Sequence, residues 1–250
     1  MKRVLFLINY LVIVICMNAQ TPIRQLNELI NTKEPAWTDF LQTWIKEAKN
    51  QVEVLPKDKK RADSALYYAQ VTTRSPMGAI VYETGGILID HGWIRILGSG
   101  SKKFDRDLMG WNKNKTYETF GQQPSHLLIA DDVLGGFFSI NAGALAKENL
   151  GKVFYFSPDN LTWECTNLSY TEFIQFCFSG DIKKFYSNLY WAGWEKEIKS
   201  INGNQGISCY PFLCTVEGKD ISKDSRKPVP IEELWFLHND LRKKFILGQQ

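Results

Sequence analysis

The pattern of apolar and polar positions divides the chain into a short leader and a longer mixed region. A basic start, Lys2-Arg3, precedes a mostly apolar run from Val4 to Ile15, and the small residue Ala19 follows. This order predicts a secretory signal peptide over residues 1–19, cleaved after Ala19. The run is shorter than the about 20 residues that a permanent membrane helix needs, and no later segment is long and apolar enough to span a bilayer.

Two alternatives to cleavage after Ala19 stay open. In the first alternative, the leader is not cleaved and anchors the protein in the membrane. In the second, the chain is a lipoprotein attached through Cys16, which follows the apolar run. The residue before it is Ile15, where lipidation signals usually have a small residue. The main prediction is therefore an exported protein, periplasmic or secreted, with lipid attachment at Cys16 as the less favoured alternative.

Helical spacing dominates the first part of the remaining chain. A short first helix is predicted by Leu26, Leu29 and Ile30, and residues 58–71 predict a more exposed helix. Between them, one apolar stripe has the three-and-four spacing of a helix. The residues of this stripe are Trp37, Phe40, Leu41, Trp44, Ile45 and Ala48.

Strand-like runs then follow one another, bounded by glycine and turn residues. The predicted strands are residues 52–55, 87–89, 93–97, 127–130, 137–141, 153–156 and 162–165. Residues 101–125 are polar and predict a loop with one helical turn. The succession of strands without intervening helices favours an antiparallel sheet in an α+β fold over a parallel α/β sheet.

Helices return in the last third. Ser169 and Glu172 form a capping box, and Gly180 marks the end of that helix. A final amphipathic helix begins near Pro230 and carries His238 on its apolar side. The predicted fold is thus α+β, with N-terminal helices, a central mostly antiparallel sheet of short strands and C-terminal helices. We expect residues 20–250 to form a single globular domain.

The charge of the chain narrows the choice of partners. The formal net charge is +3, and loss of the leader with its two basic residues reduces it to +1. A nearly neutral chain gives no reason to expect nucleic acid or an anionic membrane as a partner. A protein partner outside the cytoplasm remains compatible with this composition.

Four cysteines follow the leader, namely Cys165, Cys177, Cys209 and Cys214. Four cysteines allow three complete pairings, and the sequence does not choose between them. Export would permit disulfides, whereas buried thiols acting as small apolar residues are the alternative. The spacings contain no C-x-x-C pair, so no zinc site is expected.

Catalytic signatures are missing from the sequence. The chain has three histidines, His91, His126 and His238, and none belongs to a zinc-protease motif. Asp90 and His91 are adjacent on a predicted strand, where neighbours point to opposite faces. His238 fits a packed core position. No catalytic residue, cofactor or metal is therefore assigned.

Three other features each allow two interpretations. Asp131-Asp132 could bind a cation or contact a partner. We favour the alternative of a strand-to-turn junction, at which aspartate accepts hydrogen bonds from backbone N–H groups. Gly98–Ser101 is a weak candidate for an anion cradle or an ordinary turn. The aromatic segment Phe185–Trp194 has the composition of a recognition surface. Its partly helical spacing favours the alternative, in which the segment is part of the core.

Five long strings support a resemblance to a known family. They are Val71–Ala79, Gly85–Trp93, Ile96–Gly100, Ala130–Asn141 and Tyr155–Glu164. With these strings the chain resembles the bacterial domain-of-unknown-function family 2625 over about residues 23–235. This resemblance implies no established catalytic residues.

A more distant likeness covers residues 86–180. The segments Ile129–Asp131, Gly135–Phe137, Tyr155-Phe156 and Glu172–Ile174 occur in an order similar to that of the SMI1/KNR4-like (SUKH) superfamily. The resemblance implies an α+β fold and, because many bacterial members neutralise toxins, an immunity-like binding role. The predicted leader argues against a cytoplasmic target and leaves a toxin in the periplasm as the target.

Two hypotheses for function follow. The first is a non-enzymatic protein-binding domain that uses the candidate binding residues Asp90, His91, Trp93, Trp111, Asp131, Asp132 and Asp159. The second is a hydrolase acting on an envelope substrate, in which two of the carboxylates Asp90, Asp131, Asp132 and Asp159 serve as general acid and base. Convergence of two carboxylates in a deep cavity would favour the second hypothesis over the first.

Overall fold

The computed structural model describes residues 22–248. The predicted signal peptide lies outside the described residues, and so does Cys16. These two predictions therefore stay predictions. None of the helices between residues 22 and 248 is long and apolar enough to span a membrane.

Two of the N-terminal helices, α3 (Lys59–Ala69) and α4 (Pro76–Glu83), begin at a side-chain cap. Asp58 accepts a hydrogen bond from the Arg61 backbone N–H at the start of α3, and Ser75 does the same for Gly78 at the start of α4. Pro76 occupies the first turn of α4, where proline is tolerated. The bounds are α1 Leu26–Leu29, a π-helical turn Trp37–Leu41 continuing into α2 Gln42–Lys46, α3 Lys59–Ala69 and α4 Pro76–Glu83.

Seven strands form one sheet in which each strand pairs antiparallel with the next along the chain. Their bounds are β1 Val52–Val54, β2 Gly86–Ile89, β3 Ile94–Leu97, β4 His126–Asp132, β5 Phe137–Asn141, β6 Val153–Phe156 and β7 Trp163–Cys165. A turn at Asp90–Gly92 joins β2 to β3, and α5 Leu108–Asn112 lies in the connection to β4. The α+β prediction and its antiparallel sheet are confirmed.

The register of the sheet separates its two faces. Leu88, Arg95, Asp131 and Phe137 are aligned across β2 to β5, so they share one face. The residues that alternate with them, among them Phe138, share the opposite face. Helix α6 (Tyr170–Ser179) packs on the Phe138 face, which we call the helix side. We call the first face the hairpin side, because Arg95 on it binds the C-terminal hairpin at Gln205.

The C-terminal part covers both faces. The remaining elements are α6 Tyr170–Ser179, α7 Ile182–Phe185, α8 Trp194–Ile198, the hairpin of β8 Gln205–Tyr210 and β9 Ser225–Pro230, α9 Ile231–Arg242 and a π-helical turn Lys243–Leu247. The capping box at Ser169 and the helix end at Gly180 are as predicted. Trp235 of α9 packs edge-on against Phe137, with ring centroids 4.9 Å apart, so α9 lies on the hairpin side.

The aromatic segment Phe185–Trp194 is mostly core. Tyr186 and Trp191 are buried, whereas Phe185 is 40% exposed. The segment is not one helix, because α7 ends at Phe185 and α8 begins at Trp194. Its side chains enclose Trp93 at the start of β3, with ring centroids 4.3 Å from Tyr190 and 5.0 Å from Trp194.

Candidate functional site

The turn between β2 and β3 has an unusual backbone. Asp90, His91 and Gly92 have φ angles of 50°, 62° and 93°, a left-handed conformation that costs energy for the two residues with a Cβ atom. Gln51 holds the turn from the neighbouring strand edge. Its carbonyl accepts from the Asp90 N–H at 2.8 Å, and its side-chain oxygen accepts from the His91 N–H at 2.6 Å. Such strained turns are frequent at functional sites.

His91 lines a polar cavity of about 240 Å³ on the hairpin side. Glu53 and Arg95 contribute to its wall, and the segment after α8 closes it. Asp90 does not line this cavity. The Asp90 carboxyl is half-buried, and burial raises its pKa. Trp93, three residues further on, is fully buried in the aromatic cluster and offers no surface to a partner in this conformation.

Asp131 is a fully buried carboxylate between two arginines. Arg95 Nε donates to Asp131 Oδ1 at 2.6 Å, and Arg106 binds the other carboxylate oxygen. Arg95 also donates to the carbonyls of Asp132 and Gln205, which ties the sheet to the hairpin. Each oxygen of the Asp131 side chain therefore has a guanidinium partner.

Asp132 points to the helix side of the sheet. Its Oδ1 accepts from the Leu134 and Gly136 N–H groups at 2.9 Å each. Its Oδ2 accepts from the hydroxyls of Tyr155 and Tyr186 at 2.7 and 3.2 Å. Burial raises the pKa of the Asp132 carboxyl. The favoured interpretation of a strand-to-turn junction is confirmed for this residue.

The two neighbouring aspartates thus cannot act as one acid–base pair. Successive strand residues point to opposite faces, so Asp131 faces the arginines and Asp132 faces the tyrosines. Asp159 lies elsewhere, exposed in the turn before β7, where its carboxylate accepts from Ser157. The polar cavity is lined by none of the four candidate carboxylates. Residues 22–248 also contain no group of three or more potential ligands able to hold a metal ion.

Trp111 is connected to Asp131 through Arg106. The Arg106 guanidinium lies 4.4 Å from the Trp111 ring centroid, and the Lys115 ammonium lies 4.1 Å from it. The ring is only 5% exposed, and its Nε1 has no hydrogen-bond partner among the described residues. It borders an open depression of about 470 Å³ beside α5 and the start of α9.

Two other features of the sequence have structural roles. The Gly98–Ser101 segment is buried. The Ser99 hydroxyl donates a hydrogen bond to the Thr84 carbonyl, and the Ser99 carbonyl accepts one from Arg61. The four cysteines Cys165, Cys177, Cys209 and Cys214, all of them within the described range, are free thiols. Burial raises the pKa of the Cys177 and Cys209 thiols, which favours the interpretation of these two as apolar core residues.

A further opening, between α3 and the segment after it, was not predicted from the sequence. A groove of about 750 Å³ lies between α3 and the segment from α5 to residue 120. Lys60, Ser64 and Tyr68 line it from α3 at intervals of four residues, which places them on one helix face. The opposite face of α3, with Ala62 and Leu66, is in the core.

The rim of this aromatic groove exposes large apolar side chains. Tyr68 is 46% exposed and packs edge-on against Phe120, which is 38% exposed, with centroids 4.9 Å apart. Ile23, 44% exposed, approaches the neighbouring Gly121. Contiguous exposed apolar side chains of this kind are typical of interaction sites.

The charged groups of the groove are mostly basic. Arg61 is paired with Asp105 at 2.6 Å, and Asp107 caps α5 by accepting from the Gly110 N–H. Lys60 and Lys113 are exposed and form no ion pair with any residue in the range 22–248. The groove therefore has a net positive charge that its own acidic residues do not balance.

A sequence signal for this groove existed but was ambiguous. The Tyr67-Tyr68 pair stands on a helix that the charge pattern predicts to be exposed, and two adjacent aromatics on such a helix are unusual. Phe120 lies in a segment whose polar composition predicts a loop. The sequence does not show that the two segments meet, because 52 positions separate Tyr68 from Phe120.

Comparison of the sequence with known proteins places the chain in a family. The sequence model of the family described as protein of unknown function DUF2625 matches residues 26–234, so the chain belongs to this family. An uncharacterized protein of Haemophilus influenzae is 42% identical over 223 residues, covering 89% of this chain and 97% of the relative. The putative uncharacterized protein YbfG of Escherichia coli K12 is 40% identical over 222 residues, covering 89% of this chain and 99% of the relative.

Proposed function

We propose that this chain is an exported, non-enzymatic protein-binding domain whose binding face is the aromatic groove. The groove itself is the observation that carries this proposal. It is concave, it exposes Tyr68 and Phe120 at its rim, and aromatic anchors of this kind contribute most to protein recognition.

The charge of the groove specifies the chemistry of the partner. Lys60 and Lys113 are the uncompensated charges at the rim, so a complementary partner presents acidic side chains there. An apolar side chain of the same partner would fill the space between Tyr68 and Phe120. We therefore propose a partner segment that combines an apolar anchor with flanking aspartate or glutamate.

The carboxylates support a binding role over hydrolysis. The acid–base hypothesis requires two carboxylates in one cavity with separated pKa values. Asp131 and Asp132 face opposite sides of the sheet with all their oxygens bonded, and Asp159 is a distant turn residue. For Trp93, Asp131 and Asp132 we propose a supporting role under the surface. Asp90, His91, Trp111 and Asp159 remain proposed contacts outside the groove.

Export is proposed from the leader. The family match begins at residue 26, after the predicted signal peptide, and both alignments take in nearly all of the relative while leaving about a tenth of this chain unmatched. The likeness to the SUKH superfamily gives the proposal a specific form, in which the domain neutralises a toxin that acts in the periplasm.

Site-specific photo-crosslinking in cells tests the binding face. A crosslinking amino acid at position 64, an exposed residue that lines the groove, is expected to capture one defined protein in the extracytoplasmic fraction. The same amino acid at position 233, exposed on α9, serves as the matched control. The double variant Tyr68→Ala/Phe120→Ala should abolish the product, whereas Phe236→Ala, which removes an exposed aromatic from α9, should leave it intact.

Two results would contradict the proposal. Equal crosslinking from positions 64 and 233 would show that the groove is not the binding face. Persistence of the product in the folded Tyr68→Ala/Phe120→Ala variant would show that the aromatic rim contributes nothing. Neutral substitutions of acidic residues in the captured partner then test the charge argument. They should weaken binding to the wild type more than binding to the Lys60→Gln/Lys113→Gln variant.

A further inference from the structure

The polar cavity next to the strained turn has a composition different from that of the aromatic groove. Its floor is the register row of the hairpin side, where Glu53, Leu88 and Arg95 are aligned across β1 to β3. Its other wall is the segment from Ile198 to Gly203. Six of its side chains carry hydrogen-bond donors: Gln51, His91, Arg95, Lys103, Lys199 and Asn202.

Cations outnumber anions in this wall. Arg95, Lys103 and Lys199 face a single acidic residue, Glu53, whose two oxygens accept from Lys103 at 2.7 Å each. Arg95 is buried, with only 2% of its side chain exposed, and is neutralised from behind by Asp131. Lys199 is exposed and has no ion-pair partner in the part of the chain that the structure describes.

We propose that this cavity binds a small oxyanion, a molecule with a carboxylate or phosphate group. The positive charge of Lys199 and the side-chain donors of His91 and Asn202 line the space that an acceptor would occupy. A volume of about 240 Å³ is sufficient for a small dicarboxylate or a phosphate ester and too small for a folded protein segment. This site is separate from the groove and does not depend on the proposed protein binding.

The strained turn fits this role. Continuing β2 with ordinary strand geometry would not require left-handed residues at Asp90 and His91. The bonds from Gln51 maintain that conformation, and Gln51 itself lines the cavity. These bonds fix the backbone of the turn beside the cavity, and a backbone that is already ordered loses less entropy when a ligand binds.

Thermal unfolding of the purified mature domain with inorganic phosphate and with succinate tests the proposal. A ligand that binds only the folded state raises the melting temperature in proportion to its affinity. Lys199→Gln is expected to weaken the apparent affinity about tenfold, as for loss of one charge-assisted hydrogen bond. The matched control Lys227→Gln, an exposed lysine on β9, should bind as the wild type does. Sodium chloride at equal ionic strength controls for general salt effects.

The histidine signals in NMR spectra provide an independent measurement. Burial lowers the pKa of His126 and His238 to about 4, so both rings are neutral at pH 7 and lie away from the cavity. Phosphate or succinate should shift the His91 ring signals and leave those two unchanged. Equal stabilisation by chloride, equal binding by Lys199→Gln and Lys227→Gln, or an unmoved His91 signal would each overturn the proposal. A response to only one of the two anions identifies which oxyanion the cavity accepts.

Discussion

At the scale of single residues, the buried charges of β3 and β4 serve the architecture. Arg95 and Arg106 both pair with the carboxylate of Asp131, so two buried guanidinium groups share one anionic partner. Arg95 reaches the carbonyl of Gln205, which connects the sheet to a hairpin that is 110 positions away in sequence. A buried ion pair of this kind adds little net stability compared with an apolar pair, but it is costly to break.

Substitution of Asp131 tests this interpretation. Asp131→Asn would leave two buried guanidinium groups with one neutral partner, and we expect a loss of about 3–5 kcal/mol in the free energy of unfolding. Asp159→Asn, at an exposed turn, should change it by less than about 1 kcal/mol. Urea denaturation followed by tryptophan fluorescence measures both. Equal and small losses would mean that Asp131 is not the centre of the buried charge set.

His238 makes stability dependent on pH. Burial lowers the pKa of this histidine from 6.5 to about 4, while its Nδ1 contacts the Gly135 carbonyl oxygen at 3.0 Å. Between these pH values the unfolded chain binds a proton that the folded chain does not, so stability is present above pH 6.5 and is lost as the pH falls towards 4. The contribution is about 3 kcal/mol, at about 1.4 kcal/mol for each pKa unit.

The variant His238→Gln isolates this effect. It has no titrating group at position 238, so the difference in unfolding free energy between wild type and variant should shrink as the pH is lowered from 7 to 4. Denaturation curves at several pH values give this difference, in which contributions from other groups cancel. A difference that stays constant over the whole range is the outcome that opposes the prediction.

At the scale of elements, local signals define most helices and strands. Helix α6 has a complete capping box, in which Ser169 accepts from the Glu172 N–H while the Glu172 carboxylate accepts from the Ser169 N–H. Helix α3 presents two different faces, one in the core and one lining the groove. The division of α3 is what allows one element to serve both stability and the proposed binding.

The cap of α6 can be tested by a paired substitution in one helix. Ser169→Ala removes the acceptor for a backbone N–H in the first turn and should destabilise the protein by about 1 kcal/mol. Ser179→Ala, at the exposed last residue of the same helix, makes the same chemical change without loss of a cap and should be close to neutral. Thermal denaturation of the two variants side by side decides the point. Similar melting temperatures would argue that the capping box contributes nothing.

At the scale of the whole molecule, one continuous core joins helices, sheet and hairpin from Leu29 to Leu241. The aromatic groove and the polar cavity are separate openings in this structure and share no lining residue. The protein therefore has room for a macromolecular partner and a small ligand at the same time. The single-domain organisation of residues 20–250 stays a prediction.

Export is a prediction about the entire chain. Expression of the complete gene product followed by fractionation should place the protein outside the cytoplasm, with Gln20 as the first residue by mass spectrometry. A lipid-modified Cys16 would replace this result with the lipoprotein alternative. Full-length protein retained in the cytoplasm would refute the signal peptide and, with it, the periplasmic form of the proposed function.

Two elements of the fold give no clear signal in the local sequence, for physical reasons. Helix α4 has a clear Ser75-Pro76 start, yet its apolar interior has no polar face from which to recognise a helical stripe, and it was not predicted. The β8–β9 hairpin was not predicted either, since β9 contains two prolines and charged residues. Its strands are held by pairing with each other and by packing on the sheet, which are contacts that local periodicity does not report.

The sequence by itself determined the α+β class, the family, the seven successive strands and the capping box of α6, because each follows from residues close together along the chain. Only the tertiary structure decided that Asp131 and Asp132 serve opposite faces with all their oxygens bonded, and that Tyr68 and Phe120 meet beside two lysines. Those facts depend on register and on contacts between distant segments. Side-chain direction across a sheet and packing between loops are properties of the folded chain, and they moved the proposed binding face away from the paired aspartates to the groove.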